Sequence, residues 1–141
     1  MDDIRALLTE TNTWAVVGCS PDPDHDSNRI AALLKREGFR VIPVNPNVDG
    51  VLLGERCYAS LRDIPAGEEV EVVDIFRRAD QAGGHVDEAI AIRATGVWMQ
   101  LGVIDEAAAG RARAAGLRVV MDRCPAIELP RLKPPSPPVG G

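Results

Sequence analysis

Five short apolar runs, separated by stretches with helical periodicity, constrain this chain more than any other feature. They occupy residues 13–18, 39–44, 70–76, 97–101 and 117–121. Their length and Val/Ile content suit strands covered on both faces, as in a parallel sheet. Between them apolar residues recur at helical spacing: Ile30, Leu33 and Leu34; Val86, Ala89 and Ile90; Ile104, Ala107, Ala108, Ala112 and Ala115. Ser27 suits an N-cap and Gly38 a C-cap, and the other two helices close near Gly96 and before Gly116. An opening helix over residues 2–9 places Ile4, Leu7 and Leu8 on one face. Residues 45–65 are less regular, with one helical turn around 60–63. Alternating strand and helix with right-handed crossovers predicts an α/β fold, a Rossmann-like doubly wound parallel sheet of about five strands. The expected strand order is 3-2-1-4-5. Pro43, which cannot donate to a ladder, predicts weak pairing near the end of the second strand. Ligands of such sheets bind at the carboxyl ends of the strands, where the winding reverses, here between the first and fourth.

A length of 141 residues with 45% apolar content predicts one globular domain, residues 1–132. No apolar run approaches the ~18 residues of a membrane span. Met1-Asp2-Asp3 is acidic where a signal peptide would be basic. Sixteen Lys and Arg against 21 Asp and Glu give a net charge of −5, so neither nucleic acid nor an anionic membrane is an expected partner. Cys19, Cys57 and Cys124 are odd in number and widely spaced, which argues against structural zinc and a disulfide framework and for a reducing cytoplasm. Five of the eleven prolines lie from Pro130 onward, and residues 133–141 read as a Pro-rich disordered or polyproline tail.

The first strand-to-helix connection runs Gly18-Cys19-Ser20-Pro21 and on to Ser27 and Asn28. A glycine ending the strand, the hydroxyls of Ser20 and Ser27, and the free N–H groups opening the helix together suit a phosphate. The loop is not G-x-G-x-x-G, and a plain Gly/Pro-rich turn with a helix cap is the alternative. The second strand ends Val44-Asn45-Pro46-Asn47, with no acid before Asp49. A nicotinamide dinucleotide usually finds an Asp or Glu there for its ribose diol, so NAD is disfavoured. Asp74-Ile75-Phe76-Arg77-Arg78 ends the third strand: two arginines for an anion and an apolar wall for an adenine, or else solvated arginines paired with Asp80 or Glu71. Met99-Gln100-Leu101-Gly102 brings a thioether, an amide and a glycine to the same edge. Neither His25 nor His85 has the spacing of a hydrolase motif, and no Walker A, G-x-S-x-G or metal-ligand cluster occurs. Cys19, near a helix N-terminus, is a candidate reactive thiol.

Taken together and in order, Gly18-Cys19-Ser20-Pro21, Val41-Ile42-Pro43-Val44-Asn45-Pro46, Val73-Asp74-Ile75-Phe76-Arg77-Arg78, Val97-Trp98-Met99-Gln100-Leu101-Gly102 and Val120-Met121-Asp122-Arg123-Cys124-Pro125 resemble a known family. The chain is similar to the small stand-alone CoA-binding proteins and to the CoA-binding domain of the succinyl-CoA synthetase alpha subunit, from about Asp2 to Leu132. The resemblance implies coenzyme A lying across the carboxyl edge. Gly18, Cys19 and Ser20 would approach phosphates, Asn45 and Pro46 would border the nucleotide, and Ile75, Phe76 and Arg77 would flank adenine and phosphate. The synthetase's phosphorylated histidine lies in a second domain that these residues do not include, so ligase activity does not carry over.

Two functions remain open on these residues. One is non-catalytic binding of CoA or an acyl-CoA, as a sensor or carrier. The other is an enzyme, either a nicotinamide-dependent oxidoreductase or a CoA-linked thiol catalyst using Cys19 or Cys124. The missing acid after Val44 and the lack of an acid–base constellation favour the first. For the 3′-phosphate that distinguishes CoA from NAD, Arg77 is the first candidate, ahead of Arg78 and Arg40.

Overall fold

In the computed structural model, which describes residues 2–132, the five apolar runs form one parallel sheet. Helix α1 (Asp3–Thr9) precedes β1 (Thr13–Val17), α2 (Asp26–Arg36) and β2 (Arg40–Val44). A short antiparallel hairpin, β3 (Val51–Leu52) and β4 (Glu55–Arg56), and one 3-10 turn (Leu61–Asp63) follow. Then come β5 (Val72–Ile75), α3 (Ala79–Ala91), β6 (Gly96–Met99), α4 (Glu106–Ala114), β7 (Arg118–Val120) and α5 (Pro125–Leu132).

Side chains alternate across the sheet, as the two-residue repeat of a strand requires. Trp14, Val16, Val72 and Trp98 join Leu7 of α1, Leu34 of α2 and Leu129 of α5 on one face. Ala15, Val17, Val73, Ile75, Val97 and Met99 meet Val86 of α3 and the alanines of α4 on the other. Trp14 lies 5.5 Å from Trp98 and 5.4 Å from Phe39, ring centre to ring centre, so three aromatic rings fill the first layer. The α4 face is built from Ala108, Ala109 and Ala112, all fully buried, so this helix can approach the sheet closely.

The doubly wound α/β class is as expected, but the strand order is not. The sheet runs β2-β1-β5-β6-β7, which in order of the apolar runs is 2-1-3-4-5, so the winding reverses between the first and third runs. Pro43 supplies the physical reason. The Pro43 carbonyl accepts from the Tyr58 N–H at 3.1 Å, on the side of β2 away from β1. A residue's N–H and C=O point the same way in a strand, so the proline's missing N–H also faces outward. Proline is at home in this outward position of an edge strand, whereas the order 3-2-1-4-5 would put the second strand inside the sheet. Nor does β2 pair weakly at its end: it holds register with β1 through Val17 and Val44.

Other boundaries shift by local chemistry. Ser27 does not cap α2; His25 occupies that position without a side-chain hydrogen bond. Helix α3 closes at Arg93, whose φ of 59° is left-handed, and Gly96 instead begins β6. A Cβ on Gly96 would sit 2.7 Å from Leu7 Cδ2, so glycine here lets α1 lie against the strand. Pro130 belongs to α5 and not to the tail; residues 133–141 lie outside the described residues.

Candidate functional site

Three connections meet where the winding reverses: the loops after β1, β2 and β5. Gly18 ends β1 with φ 82°, and its N–H and that of Cys19 both donate to the Val44 carbonyl, at 2.8 and 3.3 Å. A Cβ on Gly18 would lie 2.5 Å from the Phe76 carbonyl oxygen and 3.2 Å from Arg77 Cδ. Glycine is therefore needed here both for its backbone angle and for the closeness of the β5 loop.

Side chains hold the rest of the first loop. The Ser20 N–H donates to Ser27 Oγ, and Asn28 Nδ2 donates to the Ser20 carbonyl, both at 2.9 Å. Ser20 Oγ accepts from the Asp22 N–H at 3.0 Å. Ser27 and Asn28 are buried and shape the loop, while each serine hydroxyl still has a proton to donate. Asn45 links this loop to the next. Its Nδ2 donates to the Cys19 carbonyl and its Oδ1 accepts from the Asn47 N–H, both at 2.9 Å. The side chain of the N-cap residue His25 makes no capping hydrogen bond, so the N–H groups of the first turn of α2 have no side-chain partner among the described residues, at the positive end of the helix dipole.

From β5, Phe76 and Arg77 are half-buried and close over Gly18. Arg77 donates to Gln81 Oε1 at 2.6 Å, while its buried Nε has no hydrogen-bond partner among the described residues. A guanidinium with an unused donor against a glycine loop and an uncapped helix end suits an anion. Arg78 points into solvent and pairs with Asp80 at 3.4 Å, the alternative foreseen for it. Arg40 is at the other edge of the sheet, held by Glu55 and Glu68, and is no part of this site.

Several expected contact residues lie beneath the surface. Ile75 and Met99 are wholly buried and Val44 nearly so, leaving the half-buried Phe76 as the accessible apolar side chain among them. They fill the hydrophobic core because strand residues facing the α3 layer cannot also face a ligand. Pro21 and Pro46 are exposed. Gln100 is buried, and its Nε2 donates to Asp74 Oδ1 at 2.7 Å. Gly102, with φ 80°, donates its N–H to Asp122 Oδ1 at 2.8 Å, joining the loops after β6 and β7.

The thiols are not activated. Burial pushes Cys19 up to about 12, and Cys57 and Asp74 nearby add to the shift. Burial also raises Cys124, against hydrogen bonds from the Ala126 and Ile127 N–H groups. The position of Cys19 next to a helix start does not make it reactive, because desolvation of the thiolate dominates. Asp74 is a feature that spacing alone did not single out. Its carboxyl is fully buried, Oδ2 has no partner among the described residues, and burial raises its pKa to about 8. The only sequence signal was an acid inside an otherwise apolar strand. The β3–β4 hairpin was also missed, since two-residue strands carry no periodicity. It brings Arg56 and Tyr58 to the end of β2, with the Arg56 guanidinium 5.6 Å above the Tyr58 ring.

Comparison with known proteins follows the same lines. The chain is 33% identical over 122 residues to the uncharacterized protein YneT of Bacillus subtilis, covering 86% of this chain and 88% of that one. A hypothetical protein from Pyrococcus horikoshii superposes with a TM-score of 0.86 at 38% identity, covering 94% of this chain and 92% of its own. An acetyl-coenzyme A synthetase of Ca. Korarchaeum cryptofilum shares the fold over 84% of this chain and 28% of its own, with a TM-score of 0.70 and 26% identity. No helix among the described residues is long and apolar enough to cross a membrane. The model of the CoA binding domain matches residues 12–130, which contain the whole switch-point site, and the chain belongs to that family.

Proposed function

We propose that this protein binds coenzyme A across the carboxyl edge of its sheet, without catalysis, as a sensor or carrier of CoA or an acyl-CoA. The observation that carries the reading is the cradle at the switch point: the Gly18 loop, the uncapped start of α2 and the unpartnered Nε of Arg77. The loop of Gly18, Cys19, Ser20 and Pro21, pinned by Ser27 and Asn28, lies against the pyrophosphate, which meets the free N–H groups opening α2 and the serine hydroxyls. Asn45 and Pro46 border the nucleotide, Phe76 supplies apolar surface, and Val44, Ile75, Met99 and Gln100 support the site from below. Gly102 shapes the loop after β6, and Arg78, paired with Asp80, lies at the rim.

Arg77 changes role in this reading. It lies over Gly18 and not at the end of β2, where the ribose of a doubly wound fold sits, so it serves the pyrophosphate and not the 3′-phosphate. A thiol enzyme is disfavoured because burial keeps Cys19 and Cys124 protonated. The three free cysteines suit a reducing cytoplasm. Titration calorimetry with CoA, acetyl-CoA and NAD tests the reading. CoA or acetyl-CoA is expected to bind with one site per chain and NAD to bind far more weakly. NAD binding as tightly as CoA would overturn it.

A further inference from the structure

The cradle described above accounts for a pyrophosphate and leaves the far end of the ligand unassigned. Beyond the end of β2 lies a separate cleft of about 500 Å³, with Pro46 to Asp49 on one side and Arg56 to Ala59 on the other. The hairpin builds its second wall. Tyr58 continues the sheet beside β2, its N–H donating to the Pro43 carbonyl and its carbonyl accepting from the Asn45 N–H at 2.9 Å. Arg56, paired with Val51 through the backbone ladder, reaches along that wall to lie over the Tyr58 ring, and its guanidinium forms no ion pair or hydrogen bond with any described residue. Elsewhere in the lining, Cys57 Sγ faces the Asn45 carbonyl at 3.8 Å, and the Asp63 carboxyl accepts from Ser60 Oγ at 3.1 Å.

We infer that this cleft receives the adenosine 3′-phosphate end of the ligand and that Arg56 is the residue that recognises the 3′-phosphate. The inference rests on the CoA reading above and adds a specificity residue to it. An arginine stacked on an aromatic ring presents a flat surface to a purine and keeps its N–H edge free for a phosphate. Asn47 and Asp49, on the opposite wall, are available to the ribose 2′-hydroxyl, which CoA leaves free. The two clusters divide the ligand, with Arg77 at the pyrophosphate and Arg56 at the 3′-phosphate.

The test is calorimetry of wild type, Arg56→Ala and Arg56→Lys with CoA and with dephospho-CoA, which differ only in the 3′-phosphate. Arg56 is exposed, so truncation leaves the core intact, and a thermal melt verifies this. Wild type is expected to prefer CoA by roughly 10- to 150-fold, the range for one charge-assisted hydrogen bond. Arg56→Ala is expected to lose most of that preference with little change for dephospho-CoA, and Arg56→Lys to keep part of it. An unchanged preference in Arg56→Ala would overturn the assignment while leaving CoA binding in place. Equal weakening of both ligands would overturn it as well, since Arg56 would then shape the cleft and not read the phosphate. If wild type binds neither ligand, the CoA reading itself fails and this inference with it.

Discussion

Asp74 concentrates two opposing demands in one carboxyl group. Gln100 stabilises Oδ1 by donating at 2.7 Å, but full burial penalises the charge more, and the pKa rises to about 8. A charge on Asp74 in turn raises the thiols of Cys19 and Cys124, which burial has already raised. In the unfolded chain an aspartate titrates near 3.9. The folded state therefore holds the extra proton between about pH 4 and 8. That contribution to stability is complete below the unfolded pKa and is lost as pH rises through the folded one. Between pH 5 and pH 7 the wild type should lose about 2–3 kcal/mol more than Asp74→Asn. Urea unfolding at both pH values measures this, and parallel losses would show that Asp74 folds already ionised. At Gly18 the constraint is steric. Alanine there meets a positive φ and a carbonyl oxygen at 2.5 Å, so Gly18→Ala should lower stability by about 1–3 kcal/mol. An unchanged urea midpoint would contradict the contact. Any loss of CoA affinity in a bulkier Gly18 variant has to be read against this cost to the fold.

At the scale of elements, legibility followed size and periodicity. The five strands and the helices α2, α3 and α4 show themselves because each repeats its apolar pattern over several residues. The β3–β4 hairpin and α5 do not. The first is two residues per strand, and the second contains Pro130, which reads as a helix breaker unless it lies near a helix end. The candidate site was legible in the same proportion. Gly18, Asn45 and Arg77 lie in the motifs that the sequence presents, while the hairpin that carries Arg56 and the burial of Asp74 are revealed by no spacing. Even the strand order was within reach, since Pro43 marks an edge. Asn45 shows how elements become one site: its amide spans from the Cys19 carbonyl to the Asn47 N–H and fixes the β1 and β2 loops together. Asn45→Ala removes both hydrogen bonds at a half-buried position and should cost about 1–2 kcal/mol. It should also weaken CoA binding, by loosening both loops. A variant with wild-type stability in urea would show that the loops are positioned independently.

For the molecule as a whole, the order 2-1-3-4-5 builds the proposed CoA site from the connections of three different strands, β1, β2 and β5. Those strands are neighbours in the sheet but distant in sequence, so the site exists only when the central sheet is assembled. Binding should therefore stabilise the entire fold and not one loop. At 100-fold excess over its dissociation constant, a ligand that binds only the native state adds about 2.7 kcal/mol. For a domain of this size that shifts the thermal midpoint by on the order of 10 °C. In urea the unfolding midpoint should rise while the slope of free energy against denaturant stays the same, because the surface exposed on unfolding is nearly unchanged. NAD at the same concentration should leave both quantities where they are. A raised slope with CoA would instead indicate that the loops order on binding and that the apo protein exposes more surface than its folded site suggests. A midpoint insensitive to CoA would mean that the cradle at Gly18 and Arg77 does not hold this ligand.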